Sequence, residues 1–126
     1  TLEDLYTECQ FVSLHIPANE QTRSSINDKL LTLMPEGGTL VHTARKEVID
    51  ESSLMELMKK REDFRYLSDI APDCKDELEQ KYPGRCFFTP KKMGAQTAEA
   101  NLNAGVAAAK QIVAFIEKND KTFTVN

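Results

Sequence analysis

The sequence predicts an α/β protein built on a parallel sheet, and two observations carry that expectation. Short apolar runs alternate repeatedly along the chain with segments of helical periodicity. Parallel strands joined by crossover helices produce this alternation, and their helices are expected on both faces of the sheet. A long Ala-rich helical pattern then runs from Thr97 to about Asn119.

The elements follow in order. "LEDLYTEC" places Leu2, Leu5, Tyr6 and Cys9 at helical spacing, with Glu3 and Asp4 near the start, where the helix dipole favours acids. "FVSLHIP" is an apolar run closed by Pro17, which reads as a buried strand. "INDKLLTLM" is a short helix stopped by "PEGG", and "TLVHTA" is the next strand. Asp50 is placed to cap a helix whose apolar face is Leu54, Met55, Leu57 and Met58. "FRYLSDI" is a third strand. "PDCKDELEQKYPG" reads as a charged loop holding at most one helix, and "RCFFTP" as a fourth strand. The final "KTFTVN" reads as a short extended tail. The loops at 17–25 and 70–80 follow strands, so they belong at the carboxyl edge of the sheet, where open α/β sheets bind ligands.

Composition narrows the function. The 126 residues are 40% hydrophobic and 29% charged, with net charge −4, ordinary for one globular domain or part of one. The charge argues against nucleic acid and against anionic membranes, both of which need a basic footprint. No apolar run approaches the roughly 20 residues of a membrane helix. Cys9, Cys74 and Cys86 lack the spacing of a zinc site or a disulfide framework and read as reduced thiols of a cytoplasmic protein; no metal is expected. The chain begins at Thr1, without Met, in what reads as the first turn of a helix, and is read as a piece of a longer protein.

Several residues at strand ends are candidates for chemistry, each with a plainer reading beside it. Arg45, after the second strand, offers a planar fork for a carboxylate or carbonyl; it also reads as a surface residue paired with Glu47 or Asp50. Asp69 closes the third strand and either accepts from a bound amide or caps the following turn. Asp73 and Glu77 are surface acids by default. Lys91 and Lys92 follow the Thr89-Pro90 corner; either acts as an acid or clamp only if its pKa is lowered, and is otherwise a surface residue. His15 sits at a strand end and His42 inside a strand, where a structural role is favoured. Gly94-Ala95 is either a close backbone approach to a ligand or a tight corner.

In their order and spacing, "CQFVSLHIPANEQTRSSIN", "LMPEGGTLVHTARKEVIDE", "SDIAPD" and "TPKKMGAQTAEAN" resemble the second half of the nucleotide-binding domain of the D-isomer-specific 2-hydroxyacid dehydrogenases. Within that family they are nearest the short phosphoglycerate dehydrogenases that lack a regulatory domain. The resemblance implies part of a Rossmann-like doubly wound sheet. Residues 1–96 would be the second half of an NAD-binding domain, and 97–126 a long helix and tail returning toward the substrate domain.

The family's "LHxP" strand end implicates His15, Ile16 and Pro17 beside the cofactor. Its "NxAR" motif puts the substrate arginine at Arg45, with Thr43 and Ala44 beside the nicotinamide. Its "LDV" aspartate falls on Asp69, also on the nicotinamide side, and its "HIGAxT" motif brings Gly94 and Ala95 near the cofactor.

Three departures stand out. The catalytic histidine is replaced by lysine: Lys92 when aligned from "GAQT", Lys91 when aligned from "TP", and the longer match favours Lys92. The glutamate that tunes the histidine falls on Cys74, so neighbouring Asp73 is assigned its role. The asparagine of "NxAR" is His42.

The resemblance implies NAD-dependent oxidation of a D-2-hydroxyacid, 3-phosphoglycerate to 3-phosphohydroxypyruvate in serine biosynthesis, by a homo-oligomer, a dimer. The G-x-G-x-x-G turn and its ribose-binding acid are not in this sequence, so the chain alone is expected neither to bind NAD tightly nor to turn over. The alternative readings are a non-catalytic NAD-binding interaction protein of the same fold, separated by NAD turnover, and a fragment whose exposed half-sheet dimerises, separated by light scattering.

Overall fold

The structure is a computed structural model and describes residues 1–90 and 97–125. The chain divides into two compact units, Thr1–Lys91 and Lys92–Asn126.

The first unit holds four parallel strands, β1 (Phe11–Leu14), β2 (Thr39–His42), β3 (Arg65–Ser68) and β4 (Cys86–Phe88), hydrogen-bonded in the order β1-β2-β3-β4. Helices α1 (Leu2–Glu8), α2 (Asp28–Leu31), α3 (Glu51–Lys60) and α4 (Lys75–Lys81) precede and connect them. Each element has a local cause. Thr1 and Asp4 form a reciprocal capping box on α1. Asn27 caps α2, which is only four residues long because "PEGG" follows closely; Gly37 takes φ +74° in that turn. Asp50 caps α3 by accepting from Ser53 N–H at 2.9 Å, as expected.

The strands bury alternate residues. Val12, Leu14, Leu40, His42, Tyr66, Ser68 and Phe88 face the core, which Leu31, Leu54, Met58, Phe64 and Leu78 complete. The opposite face differs from the expectation of cover on both sides: Phe11 and Phe87 are 71% and 60% exposed. Strand order explains it. All three crossovers step the same way along the sheet, and right-handed crossovers with one direction put their helices on one face. The charged segment 72–84 holds one helix, α4, in line with the expectation, and its start is held from α3: the Glu51 carboxylate accepts from the backbone N–H groups of Asp73 and Cys74.

The edge opposite the strands' carboxyl ends is fixed by Arg61. Its guanidinium donates to the carbonyls of Met34 and Pro35 and pairs with Asp63, which in turn accepts from Gly37 N–H at 2.7 Å. Arg61 holds the Asp63 carboxyl well below the usual carboxylate range. A depressed folded-state pKa means stability that is fully present above the unfolded value of about 3.9 and is lost as pH falls through the folded value. Arg61→Ala is therefore expected to lower unfolding free energy by about 2 kcal/mol at neutral pH, with the difference from native shrinking below about pH 3. Urea denaturation at pH 7 and pH 2.5 reads both. An equal difference at both pH values would assign the loss to the carbonyl contacts alone.

The second unit is α5 (Ala98–Lys118), capped by Thr97, whose hydroxyl accepts from Ala100 N–H at 3.0 Å, and closed by Asn119 at φ 51°. Its residues are largely exposed, Leu102, Val106, Val113 and Ile116 among them. The tail is not extended as expected. It turns at residues 121–124, where Thr124 N–H bonds Lys121 O, because the Asp120 carboxylate captures Thr122.

Candidate functional site at the carboxyl edge

Register builds the site. Leu14 pairs with His42, His42 with Ser68 and Ser68 with Phe88, so His15, Thr43, Asp69 and Thr89 emerge side by side at the carboxyl edge. Cross-links tie them together: Asp69 N–H to His42 O at 3.2 Å, Thr89 N–H to Ser68 O at 3.1 Å, and the Thr43 hydroxyl to Leu14 O at 3.4 Å. Three of the residues singled out from sequence, His15, Thr43 and Asp69, therefore share one edge.

After β1, His15 is exposed with Nε2 2.8 Å from Ser13 Oγ, and Ile16 is half-buried against the core. Pro17 O accepts from the Thr22 hydroxyl at 2.6 Å, which folds the loop back on itself. After β2, Thr43 is half-buried and Ala44 buried. Arg45 is exposed on extended backbone, and among the described residues it forms no ion pair. The surface pairing with Glu47 or Asp50 is not made; Asp50 is engaged in capping α3.

Asp69 separates its two readings. The turn after β3 is held by Ser68, whose Oγ accepts from Ile70 N–H at 3.2 Å, so Asp69 is not its cap. Asp69 Oδ1 is buried and has no hydrogen-bond partner among the described residues. A buried acceptor left in this state costs on the order of 1–3 kcal/mol, and a bound N–H donor removes that cost. The carboxamide of a nicotinamide is such a donor, so the residues at this edge fit the cofactor that the sequence implies. Asp69→Ala is expected to raise the melting temperature of the ligand-free protein by a few degrees while weakening NAD⁺ about tenfold in the full-length polypeptide. Calorimetry and NAD⁺ titration measure the two; a lower melting temperature would show that the orphaned oxygen has a protein partner.

Asp73 accepts an ion pair from Lys46 Nζ at 2.8 Å and is 81% exposed. That contact raises the Lys46 pKa. Burial, reinforced by the Glu51 carboxylate, pushes the Cys74 thiol up to about 12. At neutral pH Cys74 is therefore an uncharged thiol and cannot supply the charge of an acid at its position. Lys91, Lys92, Gly94 and Ala95 lie outside the described residues. Cys9, Cys74 and Cys86 are free thiols. Among the described residues no cluster suits a metal ion, and no helix is long and apolar enough to cross a membrane.

Sequence reasoning missed Ser68 and Glu51 as the anchors of these turns. Ser68 carried a signal, a hydroxyl at a core-facing strand position. Glu51 carried none, because its bonds reach residues more than twenty positions away.

The family model for the NAD-binding domain of D-isomer-specific 2-hydroxyacid dehydrogenases matches residues 1–83. A hydroxypyruvate reductase of Thermotoga maritima is 33% identical over 88% of this chain and 37% of its own length. A D-3-phosphoglycerate dehydrogenase of Haemophilus influenzae is 28% identical over 100% of the chain and 32% of its own length. Among solved structures, an NAD⁺-bound 3-phosphoglycerate dehydrogenase of Entamoeba histolytica superimposes with a TM-score of 0.87 at 44% identity, covering 100% of this chain and 41% of that one. The chain spans about a third of the length of the curated relatives it matches. With the parallel sheet and its carboxyl-edge site, these matches establish that the chain belongs to the NAD-binding domain family of the D-isomer-specific 2-hydroxyacid dehydrogenases.

Proposed function

We propose that this chain is the nicotinamide-side half of the NAD-binding domain of a longer, NAD-dependent D-2-hydroxyacid dehydrogenase, whose substrate is 3-phosphoglycerate and whose product is 3-phosphohydroxypyruvate. The observation that carries the substrate is the 44% identity, along the whole chain, to an NAD⁺-bound 3-phosphoglycerate dehydrogenase. In this reading residues 1–96 complete the NAD-binding domain and 97–126 return toward the substrate domain. The enzyme is a cytoplasmic homodimer serving serine biosynthesis.

When bound, NAD⁺ supplies the two-electron hydride acceptor. His15, Ile16, Pro17, Gly94 and Ala95 would border the cofactor, Thr43 and Ala44 its nicotinamide, and the Asp69 carboxylate would accept from its carboxamide. Arg45 takes the substrate carboxylate and the C2 oxygen in a two-point contact, which fixes the C2–H bond. Lys92, as the neutral amine, takes the hydroxyl proton during oxidation and returns it during reduction. Asp73 takes the role of the family's glutamate, the acid that raises the pKa of the general acid–base group.

The test is initial rates of the full-length polypeptide with NAD⁺ and 3-phosphoglycerate, D-glycerate or D-lactate. The proposal expects 3-phosphoglycerate to be preferred by about a hundredfold or more in kcat/KM, since a phosphate recognised by charged hydrogen bonds is worth several kcal/mol. Preference for an unphosphorylated acid would keep the dehydrogenase and remove the substrate. No turnover with any of them would favour a non-catalytic NAD-binding protein of this fold.

A further inference from the structure

Two buried polar side chains end the central strands at the carboxyl edge, and each holds one turn of the site. Ser68 holds the turn that carries Asp69. His42, 1% exposed, holds the one that carries Arg45: its Nε2 lies 3.0 Å from Arg45 O. That carbonyl also accepts from Val48 N–H at 3.1 Å, so both of its lone pairs are engaged and the peptide is fixed in orientation.

The ring itself is held in turn. A carbonyl oxygen only accepts, so the proton of His42 sits on Nε2. Nδ1 then accepts from the Tyr66 hydroxyl, 2.8 Å away. Tyr66 is fully buried one strand over, and burial pushes its phenol well above the ordinary value, which keeps it a donor. Phe88 packs edge-on against the Tyr66 ring at 5.9 Å. A continuous series of contacts therefore runs across the core face from β4 through Tyr66 and His42 to the backbone of Arg45.

We propose that His42 is a positioning residue for substrate binding: its Nε2–H, donated to Arg45 O from a ring that Tyr66 holds at Nδ1, sets the direction from which the Arg45 guanidinium meets the substrate. This rests on the reading of Arg45 as the substrate-carboxylate ligand. The sequence offered His42 as a structural strand residue standing at the asparagine position of "NxAR", and the bond to Arg45 O gives its burial a consequence at the site.

The experiment is steady-state kinetics of the full-length polypeptide with NAD⁺ and its 2-hydroxyacid, on His42→Leu, His42→Gln, Tyr66→Phe, Arg45→Ala and the double variant His42→Leu/Arg45→Ala. Glutamine keeps an N–H near the place of Nε2; leucine does not. His42→Leu is expected to lower kcat/KM for the hydroxyacid about tenfold or more while NAD⁺ affinity stays within about twofold, and His42→Gln to recover to within about threefold of native. Because His42 acts through Arg45, the double variant is expected to be no slower than Arg45→Ala alone.

A folded His42→Leu protein with near-native kcat/KM, or losses that multiply in the double variant, would overturn the proposal while a damaged Arg45→Ala left the arginine assignment standing. An unimpaired Arg45→Ala would overturn both. Should His42→Leu fail to fold, Tyr66→Phe decides. The proposal expects kcat/KM to fall by about threefold or more with NAD⁺ affinity unchanged, because the ring loses the hydroxyl that fixes it on the side away from Arg45 O; an unaltered kcat/KM contradicts it.

Discussion

Replacing Arg45 with alanine in the full-length polypeptide is expected to lower kcat/KM for the 2-hydroxyacid by about 10³-fold. The size follows from what the side chain is available to do. Among the described residues its guanidinium forms no ion pair, and its backbone is held on a carbonyl with two donors. A charged, bidentate contact aimed from such a base supplies orientation as well as attraction, and both are lost together. NAD⁺ binding should survive, because the cofactor contacts assigned here do not include Arg45. Initial rates and NAD⁺ titration on the same preparation separate the two. A variant with near-normal kcat/KM would remove Arg45 from the site.

Lys92→Ala is expected to cost about 10²–10⁴ in kcat, the usual range for losing a general acid–base group. The pH dependence is the sharper reading. Oxidation needs the neutral amine, so native kcat/KM should climb with pH until the lysine pKa is passed; reduction needs the ammonium and should fall over the same range. Starting from about 10.4, that limb lies above pH 7 unless cofactor charge and Arg45 outweigh Asp73. In Lys92→Ala the limb disappears. Lys92→His, which restores the family residue, should recover part of the rate with the limb moved toward about pH 6.5. An alanine variant with native rate and native pH profile would pass the role to Lys91 or to water.

The fold was largely legible because its signals are local. Asp50 and the stripe Leu54, Leu57, Met58 defined α3, and Thr97 and Asn119 bounded α5 almost to the residue. The parts that escaped depend on distant contacts. Where α4 starts is set by Glu51 of α3, which holds the N–H groups of Asp73 and Cys74 just ahead of it and which no window around Lys75 reveals. That the connecting helices of the first unit lie on one face of the sheet follows from strand order, which periodicity does not encode.

The site divides the same way. That Arg45 and Asp69 stand at neighbouring strand ends followed from counting strands. That Asp69 keeps a buried oxygen with no partner among the described residues, that Asp73 is taken by Lys46 and that His42 grips Arg45 O are facts of three-dimensional packing. The assignment of Lys92 rests on motif alignment alone.

The central claim is that this carboxyl edge receives the nicotinamide. A structure of the full-length polypeptide with NAD⁺ bound tests it directly. The account predicts the carboxamide nitrogen within about 3 Å of Asp69 Oδ1, with Ala44 against the ring and Arg45 opening onto its reactive face. A cofactor bound with its carboxamide turned away, and Asp69 Oδ1 satisfied instead by a protein donor, would contradict it.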